Sequence, residues 1–167
     1  MKYFAYGSNL CTKRLRHRKV ESATFVAIGM LRSYRLHFHK RSTDGSGKCN
    51  AYFTDNVNDE IAGVVFEILP AEKMFLDSAE GLGKGYQESI VCIAASNAEY
   101  KCSTYTAEPS YIDGSLGPYS WYRDFVAAGA REHGLPETYI QSNILNVEAF
   151  PDPDMKRDAR ERRYLVS

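Results

Sequence analysis

The chain has no excess of charge in either direction: 21 Lys and Arg stand against 21 Asp and Glu. A general nucleic-acid or anionic-membrane role therefore has no bulk electrostatic support, and the balance favours a neutral or zwitterionic small-molecule partner. Long apolar runs are missing too, so no membrane span is expected. The apolar opening is cut short by Gly7-Ser8-Asn9, which does not fit a secretory leader. The four cysteines, Cys11, Cys49, Cys92 and Cys102, are scattered and form no Cys-x-x-Cys pair. That usage suits reduced thiols in a cytoplasmic protein. Internal repeats and low-complexity linkers are also lacking. At 167 residues the chain is the size of one domain, 1–167, with the tail from about residue 148 expected to be peripheral.

What is present begins with YFAYGSN, a short apolar strand that ends in a polar turn. SNLCTKRLRHRK follows as a short helix, with Ser8 or Asn9 as its N-cap. From Ala23 to His39 alternation suggests one strand, and TDGSGKCN reads as a turn. NAYFT and EIAGVVFEIL are strands about a polar bend. Pro70 opens and Gly81 closes a helix over AEKMFLDSAE, which puts Glu80 in its last turn. YQESIVCIA and YKCSTYTA pair as a hairpin, and EPSYIDGSLGP is irregular and exposed. WYRDFVAAGARE is a helix with Tyr122, Phe125, Val126 and Gly129 on one face, stopped at His133-Gly134. Pro136 restarts a helix through TYIQSNILNV, and DMKRDARERRYL is a surface helix or an arm. Successive strands with helices inserted and then gathered at the end imply an α+β fold. Its sheet is a small, largely antiparallel or mixed sheet or β-barrel flanked by helices.

Several stretches carry candidate chemistry. GLGKG follows a helix rather than a strand, and DGSGKC has Cys49 where a phosphate loop needs Ser or Thr; both read as turns. His37 and His39 share a strand face and offer half a metal site without a third ligand, or else a solvated face. The run KRLRHRK reads as a solvated helix face that could touch phosphate. Tyr86, Tyr105, Tyr122 and Tyr139 could line a pocket, or serve as core and rim. Glu80 stands out because the electronegative end of a helix usually attracts a cation. If Leu76 and Leu82 desolvate its carboxylate, its pKa rises towards the range useful for proton transfer. The alternative is an exposed glutamate at a frayed helix end.

In order, YFAYGSNL, LDSAEGLGKGY and GAREHGLP resemble the γ-glutamylcyclotransferase family from Tyr3 to about Tyr139. The glutathione-specific branch typically has Leu after Tyr-Gly-Ser, where this chain has Asn9. The resemblance implies a cyclisation in which a γ-glutamyl α-amine attacks its own side-chain carbonyl. The products are 5-oxoproline and a free amino acid or amine, and neither a cofactor nor a metal takes part. It implies Glu80 as the proton carrier and a γ-glutamyl-binding segment formed by Tyr3, Phe4, Ala5, Tyr6, Gly7 and Ser8, with Asn9 adjoining. Tyr122 and Tyr86 are implied as further substrate contacts, and a homodimer as the assembly. Two other readings stay open: a γ-glutamylamine or γ-glutamyl-protected biosynthetic intermediate as substrate, and a non-catalytic γ-glutamyl-binding protein.

Overall fold

Apolar and β-branched segments form the strands of a closed barrel in a computed structural model that describes residues 1–166. The barrel strands are β1 (Lys2–Ala5), β2 (Thr24–Arg32), β5 (Glu60–Glu67), β6 (Tyr86–Ala95) and β7 (Glu99–Ala107). They follow one another in the order β1-β5-β2-β6-β7. β1 runs antiparallel to β5, with Phe4 opposite Val65, and closes the barrel through a parallel bridge from Tyr3 to Ser103 of β7. The sheet is therefore mixed, and the fold is α+β as the order of elements implies. Phe4, Phe66, Ile61, Ile93 and Phe125 are among the fully buried side chains of the core.

The remaining strands, β3 (Tyr34–Arg41) and β4 (Gly47–Phe53), form a separate two-stranded hairpin. The strand expected from Ala23 to His39 is thus two strands, broken at Ser33 in a left-handed conformation (φ 64°). The turn expected over TDGSGKCN is shorter, because Gly47 onwards already belongs to β4. Asn50 docks this hairpin on the barrel: its Oδ1 accepts from the Ala107 amide at 2.7 Å.

Helix α1 (Thr12–His17) is capped by neither Ser8 nor Asn9; these lie one turn earlier, in a buried 3-10 turn, Ser8–Leu10. Helix α2 (Lys73–Glu80) ends where Gly81 takes a left-handed conformation (φ 69°) that satisfies the last carbonyls. GLGKG continues as a tight turn, with Lys84 N–H donating to the Gly81 carbonyl at 2.8 Å. EPSYIDGSLGP contains a 3-10 turn at Pro109–Tyr111. Helix α3 (Ser120–Glu132) buries Tyr122, Phe125, Val126 and Gly129, and Gly134 stops it with φ 74°. Gly129 is required by proximity, since a Cβ there would stand 2.3 Å from the Cys11 nitrogen.

Helix α4 (Glu137–Ile140) runs into a π turn over Gln141–Leu145. After residue 148 the chain folds back as α5 (Met155–Val166). Buried Asp152 accepts from Trp121 Nε1 at 2.8 Å and from Arg157, while Glu161 pairs with Arg14 at 3.2 Å. Among the described residues, no helix is long and apolar enough to cross a membrane.

Candidate active site

The turn at the end of β1 and the last turn of α2 meet at a narrow pocket. Its walls are Tyr3, Tyr6, Gly7, Ser8, Asn9, Cys49, Glu80, Tyr86 and Tyr122, around a cavity of about 30 Å³. Three separate sequence segments with chemical promise thus converge: the opening turn, the end of α2 and the start of α3. Phe4 and Ala5 are not part of the wall. Both are buried in the barrel, where Phe4 packs against Gly63 and its carbonyl accepts from the Thr104 hydroxyl at 2.9 Å. They anchor the turn instead of facing a ligand.

Glu80 is neither frayed nor enclosed by apolar side chains. Leu76 is buried, but Leu82 is 39% exposed, and the carboxylate's partners are polar. Its Oε1 accepts from the Asn9 amide at 2.9 Å and is paired with the Arg18 guanidinium. Asn9 also donates to the Tyr3 hydroxyl at 2.8 Å and accepts from Arg18. Its side chain is therefore committed to the site, which is why it does not cap α1. The KRLRHRK run also differs from a solvated face. Arg18 is mostly covered, and Arg14 is held between Glu161 and the Phe125 ring, 4.8 Å from its centroid. Burial, the largest single influence, opposes the Arg18 charge, but the Glu80 carboxylate together with Tyr3 and Tyr122 outweighs it and holds the guanidinium above its ordinary range.

The tyrosines divide by location. Tyr86 donates to the Cys49 carbonyl at 2.5 Å, and the Tyr122 hydroxyl accepts from the Cys49 amide at 3.2 Å. Both phenols are pushed well above their usual range, first by burial, and remain neutral. Tyr105 lies behind the wall, edge-on to Tyr3 with centroids 6.0 Å apart, and donates to Asp77 at 2.6 Å. Tyr139 lines a different groove, with Met30 and Pro136.

Cys49, which no motif marks as a site residue, is brought in by β4. Burial pushes its thiol up to about 12, so it stays protonated and is not a ready nucleophile. His37 and His39 stack 4.7 Å apart on the hairpin, beside Tyr52 and away from this pocket. Among the described residues no three His, Cys, Asp or Glu side chains could jointly hold a metal ion.

A larger chamber of about 240 Å³ adjoins the pocket and shares Ser8, Glu80, Tyr86 and Tyr122 as a common wall. Its other walls include Arg14, Arg18, Lys40, Lys48, Asp44, Arg157 and Glu161. Two of these come from the tail after residue 148.

Comparison with known proteins agrees with the geometry. The bovine (Bos taurus) γ-glutamylcyclotransferase is 32% identical over 150 residues, covering 87% of this chain and 78% of its own. The chain belongs to the γ-glutamylcyclotransferase family. The human (Homo sapiens) γ-glutamylcyclotransferase is 33% identical over 143 residues, 82% of this chain and 73% of its own. A solved γ-glutamyl cyclotransferase structure superposes with a TM-score of 0.80 at 25% identity, covering 98% of both chains. Residues 60–142 match the AIG2-like family, a span that includes Glu80, Tyr86 and Tyr122.

Proposed function

We propose that this protein is a γ-glutamylcyclotransferase that converts γ-glutamyl amino acids or dipeptides to 5-oxoproline and a free amino acid. The observation that carries this reading is the placement of Glu80, held by Asn9 and Arg18, in the wall of the pocket formed by the YGSN turn. In this reading Tyr3, Tyr6, the Gly7-Ser8-Asn9 turn and the rings of Tyr86 and Tyr122 hold the γ-glutamyl group bent, so that its α-amine faces its own γ-carbonyl. Closing the ring within one molecule makes the attack unimolecular and lowers much of the entropic barrier.

The α-amine must lose a proton before attack, and the departing nitrogen must gain one. Glu80 takes the first proton as the new C–N bond forms, then delivers it as the original amide C–N bond breaks. Backbone N–H groups at the start of a helical turn have no intrahelical acceptor. Those of Gly7 and Ser8 stabilise the developing oxyanion in this scheme. The neutral thiol of Cys49 fits a reaction that uses no enzyme nucleophile. All four cysteines are free, which suits a cytoplasmic location, and the family resemblance supports a homodimer.

The test is release of 5-oxoproline from a panel of γ-glutamyl compounds by purified protein, without added metal or nucleotide. Turnover of γ-glutamyl-alanine is the expected result. Tight retention of every compound with no product would mean a binding protein instead.

A further inference from the structure

Five cations line the chamber beside the pocket: Arg14, Arg18, Lys40, Lys48 and Arg157. Four have carboxylate partners, respectively Glu161 for Arg14, Glu80 for Arg18, Asp44 for Lys48 and Asp152 for Arg157. Lys40 is different. Among the described residues no carboxylate oxygen lies within 4.0 Å of its Nζ, although the residue is only 7% exposed. An ammonium on a largely buried side chain gives up part of its hydration, and without a facing anion that loss is not repaid by a counter-charge.

The fold nevertheless holds Lys40 firmly in place. Its backbone pairs with Lys48 in the β3–β4 hairpin and bridges to Ile112. The ammonium stands 4.5 Å from the Tyr86 ring centroid and 5.8 Å from that of Tyr111. These rings attract a cation without neutralising it. The last glycine of GLGKG makes this route open: a Cβ on Gly85 would come within 2.7 Å of Lys40 Cε and 2.8 Å of Nζ. Burial lowers the lysine pKa, with the more distant charges of Glu80, Asp44 and Glu108 acting the other way.

We infer that Lys40 is a specificity-determining residue whose ammonium pairs with a carboxylate on the leaving amine. This rests on the cyclotransferase reading above. With the γ-glutamyl group in the narrow pocket and the scissile nitrogen at Glu80, the leaving group extends across the shared wall into the chamber that Lys40 lines. In an amino-acid leaving group the carboxylate is two bonds from that nitrogen, so it enters the chamber with it. A simple amine leaves the ammonium unpaired. The protein therefore selects γ-glutamyl amino acids over γ-glutamylamines.

The test compares kcat/KM for γ-glutamyl-alanine and γ-glutamyl-alaninamide, which differ in that carboxylate. The wild type should prefer the acid by about tenfold or more, the scale of one charge-assisted hydrogen bond. In Lys40→Met and Lys40→Gln the preference should fall towards unity, and Lys40→Arg should restore part of it. A preference that persists in these variants overturns the assignment. So does an equal slowing of both substrates, which would mean that Lys40 serves the γ-glutamyl group common to the two. Calorimetric binding of both compounds to Glu80→Gln and to its Lys40→Gln double variant repeats the comparison without turnover. Absence of 5-oxoproline from every substrate sinks the cyclotransferase reading, whereas turnover or binding without acid preference sinks only the Lys40 assignment.

Discussion

The Arg18 guanidinium meets the Glu80 carboxylate across 62 residues of chain, and the Asn9 side chain touches both. This contact joins the opening turn, helix α1 and the end of α2 at one carboxyl group. It also offsets what the end of α2 would otherwise impose, since a carboxylate in the last helical turn opposes the helix dipole. The arrangement fixes the direction of the carboxylate, as the proposed proton transfer requires.

Replacing the proposed carrier while keeping its shape should stop the chemistry. Glu80→Gln is expected to lower kcat by about 10²–10⁴, the usual contribution of a positioned acid–base group, with KM changed only a few-fold. Steady-state release of 5-oxoproline reads this directly. A near-normal kcat would remove Glu80 from the mechanism.

Removing the other half of the pair should cost stability as well as rate. Both side chains are about 15% exposed, so Arg18→Gln leaves a largely buried carboxylate without its cation. The expected loss is about 3 kcal/mol in urea unfolding. It should come with a fall in kcat larger than any rise in KM, and Arg18→Lys should recover part of the rate. Unaltered stability and kcat would show the contact to be incidental.

Gly129→Ala tests the seat of the opening turn. Alanine favours a helix over glycine by about 1 kcal/mol, yet here its Cβ would lie 2.3 Å from Cys11 N and 2.5 Å from Leu10 C. Backbone atoms cannot yield as a flexible side chain does, so net destabilisation of about 1–3 kcal/mol is expected. Because Leu10 closes the turn that carries Ser8 and Asn9, kcat/KM should fall with it. A more stable variant of full activity would contradict the packing.

Thiol labelling separates a neutral wall from a nucleophile. Iodoacetamide at about pH 8 should modify exposed Cys92 and spare buried Cys49, whose thiol, at about 12, remains protonated. Peptide mass spectrometry locates the label, and activity should survive the treatment. Rapid alkylation of Cys49 with loss of turnover would point to thiolate chemistry.

The clamp on the tail predicts an acid dependence of stability. Hydrogen bonds from Arg157, reinforced by Trp121, hold the Asp152 carboxyl down to about 2 from an ordinary 3.8. A carboxyl with a depressed folded-state pKa stabilises the protein above its unfolded value and stops doing so as it is protonated. That contribution should be complete above about pH 4 and lost between about pH 4 and pH 2. Melting temperatures across this range should fall less steeply for Asp152→Asn than for wild type; identical slopes would place the acid sensitivity elsewhere.

Features written in local signals were legible in the sequence. β1, the β6–β7 hairpin and α2 with its Gly81 stop follow from periodicity and punctuation, and Glu80 stands out because it violates the charge preference of a helix end. Arg18 was hidden because a charged run has no visible inside, and it lies just past the six-residue α1, at its C-cap. Lys40 and Cys49 were hidden because their hairpin reaches the site by docking through Asn50 rather than by continuing the sheet. The break that creates that hairpin lies at Ser33, which carries a positive φ without the glycine that would announce it. Phe4 and Ala5 belong to the opening motif, yet barrel packing turns them away from the pocket.

Arg157 and Glu161 line the same chamber as Ser8 and Arg14, so α5 and the opening turn share one wall. During synthesis the YGSN turn and Glu80 emerge long before the residues that complete their surroundings. A growing chain can therefore close its barrel while the chamber remains unfinished. The chamber wall is complete only when α5 has left the ribosome and docked.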